Sequence, residues 1–151
     1  MRKVDGIPSN WEVHAFPGAK YGHVAGMIPG MIGEMSRNLR WVVVQVGVNH
    51  RDDQVFPGRD VTAILSAVAQ TPAGILFVGV SYSATLPQLI KANIDKFNGR
   101  LQELCGEHYM PPLPIKVVRV DATDQLQIHF TTGTAGKVLD RVLSWITDHD
   151  C

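Results

Sequence analysis

Residues Trp41-Val42-Val43-Val44-Gln45-Val46-Gly47 form the stretch of sequence that decides the fold. Nearly every side chain in it is apolar and valine dominates, which is the composition of a strand buried on both faces of a sheet. Two further apolar runs, at residues 75–80 and 115–120, share this character and predict two more buried strands. Strands of this kind belong to parallel sheets that are covered by helices.

Helical patterns separate the three runs. Apolar residues recur at helical spacing over residues 86–104, which predicts a long amphipathic helix that ends before Pro111. A helix over residues 60–70 is expected to begin at Asp60, whose carboxylate can cap it. Three more elements complete the chain: a helix over residues 22–38 that is broken or kinked at Pro29-Gly30, a final helix capped by Thr131 or Thr132, and a short strand over residues 11–16 that stops at Pro17-Gly18.

The alternation of strands and helices predicts an α/β fold with a mostly parallel sheet, because right-handed crossovers join parallel strands. We expect a three-layer α/β/α sandwich formed by a single domain over residues 1–151. Ligands of such sheets bind beyond the carboxyl ends of the strands. Polar residues that come just after a strand are therefore the candidates for a functional site.

The charge balance argues against nucleic acid as a direct partner. Lys and Arg together number 14, Asp and Glu also number 14, and the basic residues form no run, whereas binding to phosphate backbones needs a basic surplus or stripe. The longest apolar runs are too short to span a membrane, and no secretory signal is recognised. Cys105 and Cys151 are expected to be reduced thiols of a cytoplasmic protein, and no cofactor is expected.

Three residues that follow predicted strands offer chemistry. Gly18 follows the first strand, Asn49 follows the strand at 41–47, and His129 follows the last strand, just ahead of the final helix. A backbone N–H at a glycine turn and an asparagine amide are two potential oxyanion donors, and a histidine is a potential general base.

The motifs that carry these residues resemble those of SGNH (GDSL-like) hydrolases, most closely the SGNH-like domains of animal non-LTR retroelement proteins. The resemblance implies a flavodoxin-like sandwich and hydrolysis of an ester through an acyl-serine intermediate. It also implies that Gly18 and Asn49 line the oxyanion hole and that His129 is the base. The matching motifs run in the family's order along nearly the whole chain: Phe16-Pro17-Gly18-Ala19, Val46-Gly47-Val48-Asn49-His50, and His129-Phe130-Thr131-Thr132-Gly133-Thr134-Ala135.

The chain departs from the family's pattern at three places. A first block ending in Gly-Asp-Ser is absent, and residues 1–4 look like the continuation of that block. We therefore expect an N-terminally incomplete domain without its first strand and its nucleophile. His50 stands where many members have Asp. Leu126 lies three residues before His129, where the family has the Asp that orients the base, and Asp124 lies nearby at a different spacing.

Each candidate residue also has a structural interpretation. Gly18 can serve a tight Pro-Gly turn, Asn49 can cap the segment that follows it, and His129 can be a partly exposed residue near a helix start. Ser81 and Ser83 follow a strand, but their surroundings are not the G-x-S-x-G of a nucleophile elbow. Turn and cap roles are expected for both serines.

A metal site is not expected, because the acidic and histidine residues show neither a helical His pair nor a Cys/His spacing. The residues considered for such a cluster are His14, His23, His50, Asp52 and Asp53.

Two hypotheses about function follow. The first is a degenerate or truncated esterase-like domain, a pseudoenzyme with little or no activity as given. The second is a non-catalytic module for protein–protein interaction or self-association, which associates through an exposed sheet edge. The first hypothesis predicts that Gly18, Asn49 and His129 lie along one edge of the sheet. In the family, the missing strand lies between the strands that here are 11–16 and 41–47, so we expect these two to pair directly or the chain to self-associate.

Overall fold

The computed structural model describes residues 11, 14, 19–35, 38–53, 55–126 and 128–149. These residues form two compact units. The sheet unit comprises Gly18–Val80 and Leu89–Pro111. The C-terminal unit comprises Ser81–Gln88 and the described residues from Pro112 onwards, together with Trp11 and His14.

The sheet unit contains three parallel strands, which confirms the prediction of an α/β fold built on a parallel sheet. β1 (Trp41–Val44) pairs with β2 (Gly74–Val78), and β2 pairs with β3 (Tyr109–Met110). Gly74 lies opposite Trp41 in this register, and a Cβ atom at residue 74 would come within 2.5 Å of the Trp41 ring. The start of β2 therefore requires glycine, because the indole ring occupies the space of any larger residue.

Three helices accompany the strands: α1 (Tyr21–Met35), α2 (Gly58–Ala69) and α3 (Gln88–Cys105). α1 packs against α2, and α2 packs against β2. Asn98 fixes α3 to the chain just beyond β2, because its side chain accepts a hydrogen bond from the N–H of Val80 at 2.8 Å and donates to the Val80 carbonyl at 2.9 Å. The largest fully buried side chains of this unit are Tyr21, Phe77, Ile64, Leu76, Ile94 and Leu101.

The prediction of a strand over residues 115–120 is wrong. Residues Ile115–Val117 form a short 3₁₀ turn that follows Pro114, and the side chain of Ile115 is 40% exposed. Val120 alone in this run forms a β-bridge, antiparallel to Phe130. Pro114 explains the failure, since its carbonyl accepts the N–H of Val117 at 3.0 Å and closes the turn. The third strand is instead the two-residue β3, which follows α3 after a 3₁₀ turn over Gly106–His108.

The predicted helices exist, but two of their details differ. α1 runs without interruption through Pro29, where the sequence predicts a break or kink. α2 begins at Gly58, so Asp60 lies in its first turn, and the cap position is Pro57, which forms no side-chain cap hydrogen bond. A carboxylate in the first turn still complements the partial positive charge of a helix N-terminus.

The C-terminal unit is built on α4 (Thr132–His149). Thr131 is its cap, one of the two predicted, because the hydroxyl of Thr131 accepts a hydrogen bond from the N–H of Thr134 at 3.3 Å. The helix buries one face, as its spacing predicts, with Val138, Val142 and Ile146 in the core.

Ser81 and Ser83 have the structural roles that the sequence favours. The hydroxyl of Ser81 accepts a hydrogen bond from the N–H of Leu113 at 2.9 Å. The hydroxyl of Ser83 lies 2.6 Å from that of Thr85 and accepts the Thr85 N–H. Both serines are buried, so neither is presented to a substrate.

The strand predicted over residues 11–16 lies outside the described residues apart from Trp11 and His14, and it stays a prediction. Within the part of the chain that the structure describes, β1 has one neighbouring strand, β2. No helix in that part is at once long enough and apolar enough to cross a membrane.

Candidate functional site

A sharp turn at Gly47 ends β1 and presents Asn49. Gly47 has a φ of 134°, a backbone conformation that residues with a side chain rarely adopt. A Cβ atom there would also lie 2.7 Å from Val80 and 2.8 Å from Phe97. The chain then enters a 3₁₀ turn over Val48–His50. The glycine of the Gly-x-Asn motif is therefore the residue that brings Asn49 out of the strand at its carboxyl end.

Asn49 is held against the segment that follows Gly18. Its Nδ2 donates a hydrogen bond to the carbonyl of Ala19 at 2.9 Å, and its side chain is half-buried. An asparagine amide carries two N–H groups, and Asn49 forms no second hydrogen bond to a described residue. One amide hydrogen is thus available to an incoming oxygen atom. Gly18 itself lies outside the described residues.

The buried His50 is the centre of a polar cluster, which we call the His50 cluster and which includes Lys20, Tyr21 and Asp53. The His50 ring is 6% exposed and stacks on the ring of Phe97 at 5.4 Å between centroids. Its Nε2 accepts the backbone N–H of Tyr21 at 3.0 Å. Because a backbone N–H can only donate, Nε2 carries no proton, and Nδ1–H therefore donates to Asp53 at 2.9 Å.

The electrostatics of the cluster keep His50 neutral. Burial lowers the pKa of His50, and the hydrogen bond to Asp53 opposes that shift. The ammonium group of Lys20 lies 3.0 Å from both carboxylate oxygens of Asp53 and lowers the pKa of that carboxyl. Both ring nitrogens of His50 are occupied, so this histidine is suited to holding structure together and not to proton transfer with a ligand.

No described group of three or more His, Cys, Asp or Glu side chains is arranged to hold a metal ion. The residues considered for such a cluster have other partners: His50 bonds Asp53, and Nδ1 of His23 accepts the backbone N–H of Lys20 at 3.0 Å.

His129 belongs to the C-terminal unit. Its ring has a carboxylate partner, Asp124, although Leu126 occupies the position three residues before His129 where SGNH hydrolases have Asp. Its Nδ1 lies 2.8 Å from Oδ2 of Asp124, five residues earlier in the chain. The same carboxylate accepts the backbone N–H groups of Leu126, Ile128 and His129 at 2.8 to 3.0 Å. The loop therefore curls around Asp124, which places the carboxylate beside the ring.

The hydrogen bonds also favour the ionised form of Asp124. Those from the backbone N–H groups, led by that of His129, hold the pKa of Asp124 well below its ordinary value of 3.8. The His129 side chain is 51% exposed, and its Nε2 forms no hydrogen bond to a described residue. A histidine whose Nδ1 faces a carboxylate and whose Nε2 is open has the arrangement of a general base.

In the structure Asn49 is hydrogen-bonded to Ala19, and His129 is hydrogen-bonded to Asp124. Asn49 lies in the sheet unit and His129 in the C-terminal unit, and each unit is described by itself. The expected meeting of Gly18, Asn49 and His129 at one sheet edge stays a prediction.

A shallow groove of about 540 Å³ lies in the sheet unit, and none of the predicted site residues lines it. Two arginines there would attract an anion, but Glu103 lines the same open space and opposes that attraction. The groove therefore does not identify a ligand. Its lining residues are Phe56, Gly58, Arg59, Thr62, Arg100, Glu103 and Leu104.

Compared with protein-family models and with curated protein sequences, the chain matches none.

Proposed function

We propose that this chain is an esterase-like domain of the SGNH type, with a three-layer α/β/α architecture, that retains a base and an oxyanion donor but lacks the nucleophilic serine among its 151 residues. In this proposal His129 is the general base, Asp124 orients it, and Asn49 and Gly18 are the oxyanion donors. The substrate class is a small ester, and the chain by itself does not turn it over.

The observation that carries the proposal is the geometry of His129. In acyl transfer the base takes the proton of the serine hydroxyl through Nε2, while a carboxylate on Nδ1 holds the correct tautomer and stabilises the imidazolium. Asp124 meets the second requirement at 2.8 Å, and the exposed Nε2 is available for the first. A histidine without a functional role near a helix start does not require a carboxylate beside its ring. Here such a carboxylate is present and is itself held by three backbone N–H groups.

Asn49 supports the same function from the sheet unit. It lies in the 3₁₀ turn beyond the carboxyl end of β1, on the side of the sheet where α/β folds bind their ligands, and it keeps one amide hydrogen for an oxyanion. Its contact with Ala19 ties it to the residue next to Gly18, the second proposed donor.

The missing nucleophile explains why the chain is expected to be silent. The sequence contains no Gly-Asp-Ser, and the serines that follow β2 are buried in structural hydrogen bonds. Acyl transfer without an activated nucleophile loses the covalent route altogether.

The test is hydrolysis of short p-nitrophenyl esters together with labelling by a serine-directed fluorophosphonate. We expect the chain to hydrolyse no faster than its His129→Ala variant and to remain unlabelled. Reading the coding sequence upstream of Met1 completes the experiment. A longer chain with a Gly-Asp-Ser strand should become labelled, and His129→Ala in it should abolish turnover. Turnover in the longer chain that survives His129→Ala would contradict the role of His129.

A second candidate function, self-association through the sheet, is favoured by one observation. β1 is a valine-rich strand with one neighbouring strand among the described residues, and a strand of this kind can pair with a strand from a second copy wherever its edge is open. Size-exclusion chromatography with light scattering tests it, since a concentration-dependent dimer supports this function and a strict monomer removes it.

A further inference from the structure

Three consecutive residues that lead into α1 are each held by a residue of the loop after β1. The carbonyl of Ala19 accepts from Asn49 at 2.9 Å, the ammonium of Lys20 binds Asp53 at 3.0 Å, and the N–H of Tyr21 donates to His50 at 3.0 Å. We call these three contacts the α1 clamp; its residues are Ala19, Lys20, Tyr21, Asn49, His50 and Asp53.

The clamp completes the N-terminus of α1. The first N–H groups of a helix have no partner within the helix and need an external acceptor. His50 supplies that acceptor for Tyr21 from another element of the fold. His23 adds a second one, because its Nδ1 accepts the N–H of Lys20 three residues earlier, as the Glu of a capping box does. Two histidines thus hold the start of α1, and both do so through an unprotonated nitrogen.

We propose that His50 is a positioning residue that fixes the segment directly after Gly18 only while its ring is neutral, so that acidification releases the start of α1. A protonated Nε2 would point a second donor at the N–H of Tyr21, and two donors cannot bond each other. The consequence for Gly18 rests on the proposed function, because Gly18 is an oxyanion donor only in that proposal. The release of the Tyr21 N–H by acid is independent of the proposed function.

The charges around His50 give the direction of the effect. Asp53 faces Nδ1, Asp60 acts from the first turn of α2, and Lys20 opposes both, while the rings of Tyr21 and Phe97 cover the imidazole. Burial outweighs the two carboxylates and leaves the pKa of His50 below its ordinary value of 6.5. The unfolded chain therefore binds the proton more readily, and the clamp is fully stable above about pH 6.5 and is lost as pH falls through the lower folded pKa.

Amide hydrogen exchange at Tyr21 tests the proposal, after correction for the intrinsic pH dependence of exchange. Between about pH 7.5 and about pH 5 the protection of Tyr21 should fall, by up to about tenfold for each pH unit between about pH 6.5 and the lower folded pKa of His50. In His50→Gln the side-chain oxygen can still accept from Tyr21 but does not titrate, so most of this pH dependence should disappear. His108→Gln, a change at a more exposed histidine, should leave it intact. Equal pH dependence in His50→Gln and the unchanged protein would overturn the proposal.

A second measurement uses the unchanged protein and does not depend on how a variant folds. Long-range ¹H–¹⁵N spectra follow the two ring nitrogens of His50 and of His23 while the Tyr21 amide is followed in the same sample. The Tyr21 shift and the His50 ring should titrate with one midpoint. A Tyr21 amide that stays constant while His50 becomes protonated, or that follows His23 alone, would refute the role of His50. Neither readout involves ester hydrolysis, so a failed esterase assay leaves this result standing.

Discussion

Two His–Asp pairs among the described residues have nearly the same geometry but opposite character. In the sheet unit, Nδ1 of His50 lies 2.9 Å from Asp53, and in the C-terminal unit Nδ1 of His129 lies 2.8 Å from Asp124. The second ring nitrogen separates them. Nε2 of His50 is buried and accepts the N–H of Tyr21, whereas the ring of His129 is half exposed and its Nε2 has no hydrogen-bond partner among the described residues.

The contrast shows that a carboxylate next to a histidine does not identify a catalytic base. The carboxylate fixes the tautomer in both pairs, and the surroundings of Nε2 then decide whether the ring supports structure or is free to exchange a proton with a ligand. On this criterion His50 is structural and His129 is the candidate base. The comparison can be sharpened by substitutions whose effects should differ between the two units.

The largest difference is expected between His50→Ala and His129→Ala. Removing the His50 ring opens a cavity among Tyr21 and Phe97 and strands the Tyr21 N–H, which should lower the free energy of unfolding by roughly 3 to 4 kcal/mol. Removing the exposed ring in His129→Ala should lower the free energy of unfolding by less than about 0.5 kcal/mol. Urea denaturation measures both variants. Equal losses would remove the distinction between the pairs.

A substitution at Gly47 should be nearly as damaging, since that residue sets the turn carrying Asn49 and His50. Gly47→Ala meets both a positive φ and close contacts with Val80 and Phe97, so we expect a loss of about 2 to 4 kcal/mol. Gly99→Ala is the matched control, because a Cβ at this helical position meets nothing within 4 Å. It should stabilise by about 0.5 to 1 kcal/mol. A tolerated Gly47→Ala would contradict the account of the turn.

Tyr21→Phe should raise the free energy of unfolding by up to about 1 kcal/mol. The hydroxyl of Tyr21 is buried without a hydrogen-bond partner in the described part of the chain, and its burial also raises the pKa of the phenol. Removing the hydroxyl keeps the ring contacts with His50. Thermal unfolding next to Tyr109→Phe measures the effect, and a marked loss specific to Tyr21→Phe would mean that the hydroxyl is satisfied after all.

A clear spectroscopic effect is expected for Asp124→Asn. On acidification the carboxylate of Asp124 should stay ionised to lower pH than an ordinary aspartate, because its pKa is depressed, and its hydrogen bonds should be lost only as pH falls through that lower pKa. An amide cannot reproduce its hydrogen bonds to the backbone and the ring. The His129 ring should therefore lose its fixed Nδ1–H tautomer in ¹⁵N spectra of Asp124→Asn and keep it in Asp121→Asn. An unchanged tautomer in Asp124→Asn would show that another group orients His129.

The parts of the fold that the sequence predicts are those that depend on long apolar periodicity. The valine run of β1, the apolar run of β2 and the helical spacing of α3 and α4 each specify an element without reference to the rest of the chain. β3 spans two residues, which is too short for any periodicity. The run at 115–120 has the composition of a strand, but its first three residues form the 3₁₀ turn that follows Pro114 and do not join the sheet.

The site divides in the same way. Asn49 is predictable because it follows a strand and a glycine. The partnership of Asp124 with His129 depends on a loop that folds back through three backbone hydrogen bonds, which a fixed motif spacing does not represent. The role of His50 depends on contacts with α1 that are distant in sequence, so a comparison with the family's Asp at that position gives no indication of it.

The proposed function requires Asn49 and His129 to act on the same substrate, and a paramagnetic distance measurement tests this prediction most directly. A nitroxide attached at residue 129, in a His129→Cys, Cys151→Ser chain, should broaden the side-chain amide signals of Asn49, and reduction of the nitroxide should restore them. The same broadening must persist when the chain that carries the nitroxide is diluted into protein without a nitroxide. Persistence on dilution shows that the broadening arises within one chain and not from a contact between copies. Asn49 signals that keep their full intensity beside the oxidised label would contradict the account.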